Sequence, residues 1–189
     1  MTFTREQLEA ARSRTVPDLL GPDLKLLFVG INPGLWTAAS GAHFGHPGNR
    51  FYKALAVGGI VDEALDVRAG FDDRTRSALV DRGIGITNIV MRTTARADEL
   101  AKEELRAGAL ALKAKVEELR PTVVAFVGLG AYRTGFAKPK AKVGKQETTL
   151  GGASVWALPN PSGLNAHYQV ADLARLYREA AIDAGVVAP

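Results

Sequence analysis

Short apolar runs alternate with amphipathic segments along this chain. Uninterrupted runs of β-branched and other apolar residues predict buried strands at residues 24–31, 85–90, 122–127 and 154–159. Apolar positions at helical spacing predict helices at residues 51–57, from 98 to a stop at Pro121, at 170–183 and, more briefly, near 4–13 and 130–136. Strands that alternate with helices predict an α/β fold, a three-layer α/β/α sandwich around a four-stranded parallel sheet.

The remaining segments predict loops or mixed structure. Residues 32–48 are rich in Gly, Pro and His and predict a loop, residues 138–145 predict a basic loop, and residues 60–82 predict helix and turn. No internal repeat and no linker-like stretch divides the sequence. The 189 residues, 47% of them hydrophobic, therefore predict a single domain with a sizeable core.

Two strands of the predicted sheet end in similar polar turns. Residues 30–34 (GINPG) follow the first strand, and residues 160–164 (NPSGL) follow the last. Because the carboxyl ends of parallel strands form the crevice where ligands bind, we expect the two turns to meet across one site. Each turn also has a purely structural interpretation, in which Asn32 bonds its own backbone and Leu164 tucks into the core.

Composition narrows the possible chemistry. The absence of Cys excludes disulfides, thiolate chemistry and zinc sites built on Cys. The net charge of +4 permits a polyanionic partner without establishing one. The start of the chain lacks an apolar signal core, and no run approaches the ~20 apolar residues of a membrane span. We expect an intracellular, cytoplasmic protein that does not enter a membrane, nucleoid-associated if its source is a prokaryote, and monomeric by default.

The loop before the second predicted helix holds further candidates. Phe44 is either a core residue or a platform on which a flat ring stacks, and Asn49 is either a helix cap or a site residue. His43 and His46 lie three apart, but no carboxylate or third imidazole accompanies them, so we predict no metal site. Lysines 138, 140, 142 and 145 fit a solvated loop or a phosphate contact. No Ser-His-Asp order or close carboxylate pair is visible.

Five blocks of the sequence resemble the mismatch-specific uracil/thymine DNA glycosylases of the uracil-DNA glycosylase superfamily, in order and with similar spacing. The blocks are residues 30–35 (GINPGL), 46–51 (HPGNRF), 85–94 (GITNIVMRTT), 102–108 (KEELRAG) and 160–164 (NPSGL). The resemblance covers about residues 24–180. It implies a uracil-DNA-glycosylase-like core at residues 24–184, preceded by an N-terminal helical extension at residues 1–22.

The resemblance also implies an activity. It predicts a monofunctional glycosylase without lyase activity, metal or cofactor, which flips uracil, thymine or a modified pyrimidine out of a G mismatch and hydrolyses the N-glycosidic bond. The partner is double-stranded DNA with a G·U or G·T mismatch, and abasic-site repair enzymes act downstream. Asn32 is implied to hold the attacking water. An amide takes up no proton, so Asn32 orients this water rather than acting as a base.

The same resemblance assigns the other site residues. Phe44 stacks on the flipped base, the backbone of Ile31 and Phe44 reads the edge of the base, and Thr37 lies near the pyrimidine 5-carbon, which favours uracil over thymine. The predicted pocket is completed by His43, Asn49, Thr87, Asn88 and Asn160. Ser162 and Gly163 grip the bent backbone, and Leu164 fills the gap left by the flipped nucleotide. Some relatives carry Arg where Ala166 stands between Asn165 and His167, so the contact with the opposite strand differs here.

Three other functions compete with this interpretation. A glycosylase for deaminated purines such as hypoxanthine or xanthine would keep the fold and change the substrate. A protein that binds mismatches without cleavage would not depend on Asn32. A nucleotide-binding domain is disfavoured, because residues 30–34 lack the spacing of a Walker loop or of a dinucleotide fingerprint.

Overall fold

A five-stranded sheet forms the centre of the protein. The computed structural model describes residues 2–189, and Met1 of the predicted extension lies outside them. The strands are β1 (Leu26–Gly30), β2 (Ile84–Asn88), β3 (Val123–Val127), β4 (Gly144–Leu150) and β5 (Ala153–Leu158). Their spatial order is β2-β1-β3-β5-β4. Strands β2, β1, β3 and β5 are parallel, as predicted, and β4 is antiparallel to β5.

The fifth strand corrects the predicted count of four. Residues 138–145 were expected to form a loop, yet β4 begins at Gly144 and pairs with β5 through a hairpin. Its turn, Gly151 and Gly152, has φ angles of 55° and 89°, the left-handed conformation that tight hairpins favour. At the sheet edge, β4 keeps much of its surface exposed and carries Lys, Gln, Glu and Thr. It therefore lacks the apolar run by which the other strands are recognised.

Helices cover both faces of the sheet. Within residues 2–189 they are α1 (Arg5–Ala10), α2 (Leu35–Ser40), α3 (Phe51–Val57), α4 (Asp73–Val80), α5 (Lys102–Leu119), α6 (Leu129–Gly135) and α7 (Val170–Asp183). Strand residues alternate between two apolar clusters, so that Phe28 packs with α3 and α7 while Leu27 packs with α5 and α6. The three-layer α/β/α architecture is confirmed. No helix of residues 2–189 is long and apolar enough to cross a membrane.

Most predicted helices are found, although α1 is shorter than the predicted 4–13, α6 is shifted by one residue from 130–136, and two further segments differ. Helices α3 and α7 have the predicted bounds, and Thr4 and Gln7 cap α1 through reciprocal hydrogen bonds. The loop predicted at residues 32–48 contains α2, a six-residue helix that is capped by Gly41 with φ 76°. Its brevity and its Gly-rich flanks conceal it in the sequence. The long helix starts at Lys102 rather than at residue 98, because residues 97–99 form a 3-10 turn.

The N-terminal segment packs into the core instead of standing apart from it. Leu19 is 1% exposed, and its backbone pairs with Ile86 at the free edge of β2. Ala11 and Val16 are also buried, against Ala38 of α2. The segment therefore supports the loop that follows β1, although the sequence indicated only a short helix there.

Candidate active site

A cavity of about 170 Å³ lies at the carboxyl edge of the sheet. The ends of four strands reach it, through Ile31 after β1, Asn88 of β2, Val127 of β3 and Asn160 after β5. The two polar turns therefore meet across one cavity, as parallel-sheet geometry dictates. Eight of the predicted pocket residues line this cavity: Ile31, Asn32, Thr37, His43, Phe44, Asn49, Asn88 and Asn160.

The side chain of Asn32 is held in one orientation. Its Nδ2 donates to Thr94 Oγ1 at 2.7 Å, to the Arg92 carbonyl at 2.8 Å and to the Pro33 carbonyl at 3.2 Å. A backbone carbonyl only accepts hydrogen bonds, so the nitrogen and not the oxygen must face these groups. Its Oδ1 has no donor among residues 2–189 and is left to the cavity. Asn32 therefore presents a fixed hydrogen-bond acceptor.

The side chain of Asn160 is held in the opposite orientation to that of Asn32, by its oxygen rather than by its nitrogen. Its Oδ1 accepts the backbone N–H of Ser162 at 2.9 Å, and its carbonyl accepts from Asn165 Nδ2 at 2.9 Å. Because a backbone N–H only donates, the oxygen of Asn160 must face Ser162. In the part of the chain that the structure describes, its Nδ2 has no acceptor. Asn160 therefore offers the cavity a hydrogen-bond donor where Asn32 offers an acceptor.

A buried chain of hydrogen bonds orients Asn88. His43 Nε2 lies 2.9 Å from the Pro17 carbonyl, and His43 Nδ1 lies 3.2 Å from Asn88 Nδ2. The carbonyl requires a proton on Nε2, so in neutral His43 the Nδ1 accepts from Asn88. Burial lowers the pKa of His43, an effect only partly opposed by the Pro17 bond and by nearby Asp18. With its nitrogen engaged, Asn88 offers its Oδ1 to the cavity.

Phe44 supplies the flat wall of the cavity. Its ring stacks on Phe51 with centroids 4.2 Å apart, and its φ of 55° is a left-handed backbone conformation that non-glycine residues rarely adopt. Gly30 allows this approach, because a Cβ there would lie 3.3 Å from Phe44 Cζ and would collide with Asn88 Oδ1. Such strain, retained against a cavity, is typical of functional sites.

Two other predicted pocket residues have different positions. Asn49 lines the cavity but also accepts the N–H of Phe51 at 2.9 Å, which satisfies the start of α3. Thr87 does not line the cavity, which corrects its predicted place in the pocket. Successive strand residues point to opposite faces, so Asn88 faces the cavity while Thr87 faces Asp18 and Lys115. Thr87 Oγ1 donates to Asp18 Oδ1 at 2.7 Å and belongs to the supporting structure.

The loop after β5 presents an apolar side chain to solvent. Leu164 is 95% exposed, in contrast to the core position that a loop leucine usually takes. Ser162, Gly163 and Leu164 line a groove of about 690 Å³ that also includes Leu8 and Trp36. Asn165, Ala166 and His167 continue the loop outside the cavity, and Asn165 Oδ1 accepts the N–H of His167 at 3.2 Å. The groove and the cavity share Gly34, Thr37, His46 and Ala95. The exposed leucine thus lies beside the cavity mouth.

Several site residues were not recognised from the sequence. Thr94 and the Arg92 carbonyl fix Asn32, and Arg92 is itself held by Glu104 at 2.8 Å, a pairing that lowers the pKa of Glu104 to about 2. Arg50 donates to the carbonyls of the loop after β5. The residues lie in blocks of recognised resemblance, but only their contacts reveal their roles. Within residues 2–189, no group of three or more acidic or histidine side chains is arranged to hold a metal ion.

Comparison with known proteins places the chain in a family. The sequence profile described as the Uracil DNA glycosylase superfamily matches residues 17–182. The chain therefore belongs to the uracil DNA glycosylase superfamily, whose members are DNA glycosylases and thus hydrolases that act on DNA. The mismatch-specific branch that the motifs resemble stays a prediction.

One solved structure resembles the fold over most of its length. It is the solution NMR structure of a protein from Methanosarcina acetivorans whose assignment as a uracil DNA glycosylase is provisional. The TM-score is 0.59 at 18% sequence identity, and the match covers 88% of this chain and 97% of that one. At this identity the likeness supports the α/β/α fold.

Proposed function

We propose that this protein is a monofunctional DNA glycosylase that removes uracil from G·U mismatches in double-stranded DNA. The observation that carries the proposal is the opposite polarity of Asn32 and Asn160 across one cavity. Hydrolysis of an N-glycosidic bond needs an acceptor for the attacking water and a donor for the charge that develops on the leaving base. The two asparagines supply one of each.

The chemical step divides between these two residues. The bond from C1′ of the sugar to the base nitrogen breaks, and its electron pair leaves with the base as an anion. Asn160 Nδ2 donates to a carbonyl oxygen of the base as this charge develops. The water held by Asn32 Oδ1 bonds to the electron-poor C1′ and releases its proton to solvent or to the departing base. The products are the free base and an abasic site.

The chemistry of the cavity favours hydrolysis without a lyase step. A lyase forms a Schiff base through an amine, and among residues 2–189 no lysine lines the cavity. Asn32 orients water but takes up no proton, so we expect a slower enzyme than one with a carboxylate at this position. Part of its selectivity then comes from the weaker pairing of a mismatched base, which costs less to flip.

The cavity also distinguishes among bases. Asn88 Oδ1 is an acceptor, which matches the ring N–H of uracil and thymine, whereas cytosine carries an unprotonated ring nitrogen at the same position. The ring of Phe44 stacks on the flipped base. Thr37 is buried in the cavity wall and crowds the methyl group of thymine, so uracil is the preferred substrate.

The exposed leucine completes the proposed reaction. Leu164 enters the base stack and occupies the space of the flipped nucleotide, as apolar wedges do in other DNA-bending proteins. This filling offsets part of the few kcal/mol that unstacking costs. The cavity and the groove, which share a border, would then hold the base and the adjoining backbone of one strand.

A cleavage assay tests the proposal. Purified protein is incubated with end-labelled duplexes that carry U·G, T·G, U·A, hypoxanthine·T or C·G, and alkali then cuts any abasic site before a denaturing gel. We expect cleavage to be strongest at U·G, weaker at T·G and absent at C·G, and to be lost in Asn32→Ala. Strongest cleavage at hypoxanthine would replace this proposal with a purine glycosylase. Mismatch binding without cleavage would replace it with a binding protein.

A further inference from the structure

One guanidinium lies beneath the exposed loop at residues 160–168, which we call the wedge loop. Arg50 Nη1 donates to the Tyr168 carbonyl at 2.6 Å, and Nη2 donates to the carbonyls of Ser162 at 2.6 Å and Asn165 at 2.9 Å. Its Nε and its backbone N–H both reach the Pro161 carbonyl, at 3.4 Å and 3.0 Å. One side chain thus connects four points of the wedge loop.

These contacts make the shape of the loop depend on an arginine. A guanidinium presents a rigid fork of five N–H donors, whereas the single ammonium of a lysine cannot span carbonyls on both sides of a turn. Within the described chain, no carboxylate lies within 4.0 Å of Arg50, so its charge is shared among the loop carbonyls rather than neutralised by an acid. The position of Arg50 at the start of α3 fixes the fork relative to the sheet.

The wedge-loop carbonyls that point toward Arg50 also determine which backbone N–H groups of the loop point away from it. In a trans peptide the C=O and the following N–H point in opposite directions, and residues 2–189 contain no cis peptide bond. Because the Ser162 and Asn165 carbonyls face Arg50, the N–H groups of Gly163 and Ala166 face away from it. Gly163 fits closely over the preceding loop, since a Cβ there would lie 2.7 Å from the Gly48 carbonyl. Leu164 lies between these two outward amides.

We propose that Arg50 is a positioning residue that holds the wedge loop, and with it Leu164, in the shape that enters the DNA duplex before DNA is bound. The inference rests on the proposed function and extends it to a residue outside the cavity. A loop ordered in advance does not have to be ordered at the moment of binding, so base flipping proceeds faster. Arg50 acts only through the loop and touches neither base nor water.

A double-mutant cycle tests this role. Single-turnover excision of uracil from a U·G duplex is compared in wild type, Arg50→Met, Leu164→Ala and the double variant. We expect Arg50→Met to slow excision by up to about tenfold, no more than Leu164→Ala does, and to add less than about twofold once Leu164 is already Ala. Fully additive effects would overturn the proposal, because they would mean that Arg50 supports the fold and not the wedge.

Two variants serve as controls for the charge and for the loss of an arginine. Arg50→Lys keeps the charge, and we expect it to recover only part of the rate because it cannot form the fork; recovery to the wild-type rate would contradict the proposal. Arg178→Met removes an arginine that also donates to two carbonyls, of Gly58 and Ala188, but contacts no part of the wedge loop in the described structure. Its excision rate should match that of wild type.

Hydrogen exchange supplies a readout that does not need activity. The N–H of Asn165 bonds to the Ser162 carbonyl at 3.0 Å, and the N–H of Ser162 bonds to Asn160 Oδ1 at 2.9 Å. We expect these amides to exchange at least about tenfold faster in Arg50→Met and unchanged in Arg178→Met. Unchanged exchange in Arg50→Met would refute the role of Arg50 even in an active enzyme. If wild type cleaves no substrate, faster exchange in Arg50→Met would still support the role of Arg50 in holding the wedge loop, while the missing cleavage would refute the glycosylase activity.

Discussion

The loops after β1 and β5 start from similar sequences and use them in opposite ways. Each has Asn followed by Pro and then Gly within two residues, and both lie at the carboxyl edge of the sheet, where β3 separates β1 from β5. After β1, neighbouring groups bind the nitrogen of Asn32, which leaves a polar oxygen for the cavity. After β5, the oxygen of Asn160 bonds within its own loop, and the apolar side chain of Leu164 is exposed to solvent.

The difference shows how a motif acquires its function from its surroundings. The first loop is held from outside by residues 92–94, which lie about 60 positions later in the chain. The second loop is held partly by itself and partly by Arg50 from beneath. Substitution of Asn32 in the first loop should therefore affect the chemical step, whereas substitution of Leu164 in the second loop should affect base flipping. The following predictions test this separation.

The largest effect is expected at Asn32. Asn32→Ala removes the acceptor that holds water, so the single-turnover excision rate should fall by at least about 10²–10³-fold. Duplex binding, measured by fluorescence anisotropy, should change less than about threefold, because Leu164 and the groove are intact. Thr94→Val is the matched control: it removes one of the acceptors that orient Asn32 and should cost less than Asn32→Ala. Equal losses in rate and in binding would break the proposed separation between the two loops.

A smaller loss is expected at Leu164. Leu164→Ala shortens the wedge, so excision from a U·G duplex should slow by about tenfold, which corresponds to ~1.4 kcal/mol. The side chain is 95% exposed, so the free energy of unfolding should stay within ~0.5 kcal/mol of wild type in urea titrations. Fluorescence of 2-aminopurine placed beside the uracil should report less base flipping. An unchanged signal together with slow cleavage would assign Leu164 to the chemical step instead.

Removal of His43 should alter stability and its pH dependence. His43→Gln breaks the connection between Pro17 and Asn88, and leaving buried polar groups unpaired should cost about 1–3 kcal/mol in the free energy of unfolding at pH 7.5. Because burial lowers the pKa of His43 below its ordinary 6.5, the unfolded chain binds more protons below that pH. Wild type should therefore lose stability as the pH falls below about 6.5.

Comparison of wild type with His43→Gln isolates the contribution of His43 to this pH dependence. His46 and His167 are present in both wild type and His43→Gln, so the difference between their urea curves at pH 7.5 and pH 5 reports His43 alone. The variant should lose less stability than wild type over this interval. A parallel decline in both proteins would mean that His43 does not titrate with unfolding.

A change confined to substrate choice is expected at Thr37. Thr37→Ala removes a β-branched side chain from the cavity wall, which should raise the ratio of T·G to U·G cleavage by about tenfold. The rate at U·G should change little, and C·G should stay uncut because Asn88 is untouched. A constant ratio would show that Thr37 does not meet the thymine methyl group.

The sequence indicated the core of the fold because the local patterns and the tertiary structure agree there. The buried strands are apolar runs, and α3 and α7 have helical spacing with clear ends. Strand β4 was missed because an edge strand with a polar face has no such run, and α2 because its six residues lie between Gly-rich flanks without a capping side chain. Local composition contains little information about segments whose partners are distant in the chain.

The candidate site could also be predicted only in part: the sequence located residues but not the orientation of their side chains. Motif resemblance located Asn32 and Asn160, but the register of β2 decides that Asn88 and not Thr87 faces the cavity. The orientations of Asn32 and Asn88 depend on groups far away in sequence, Arg92 for Asn32 and, for Asn88, the ring of His43 that is bonded to Pro17. These contacts follow only from the folded arrangement, which is why the polarity of the cavity could not be derived beforehand.

The two edges of the sheet have a consequence for self-association. An open strand edge is a template on which another chain can pair and aggregate. Here the backbone of Leu19 occupies the β2 edge, while β4 has charged Lys145 and Glu147 and an irregular register between Lys145 and Thr149. Both edges therefore resist pairing with a second copy. We therefore expect copies that bind close together on one DNA molecule to stay separate rather than to join their sheets into insoluble fibres.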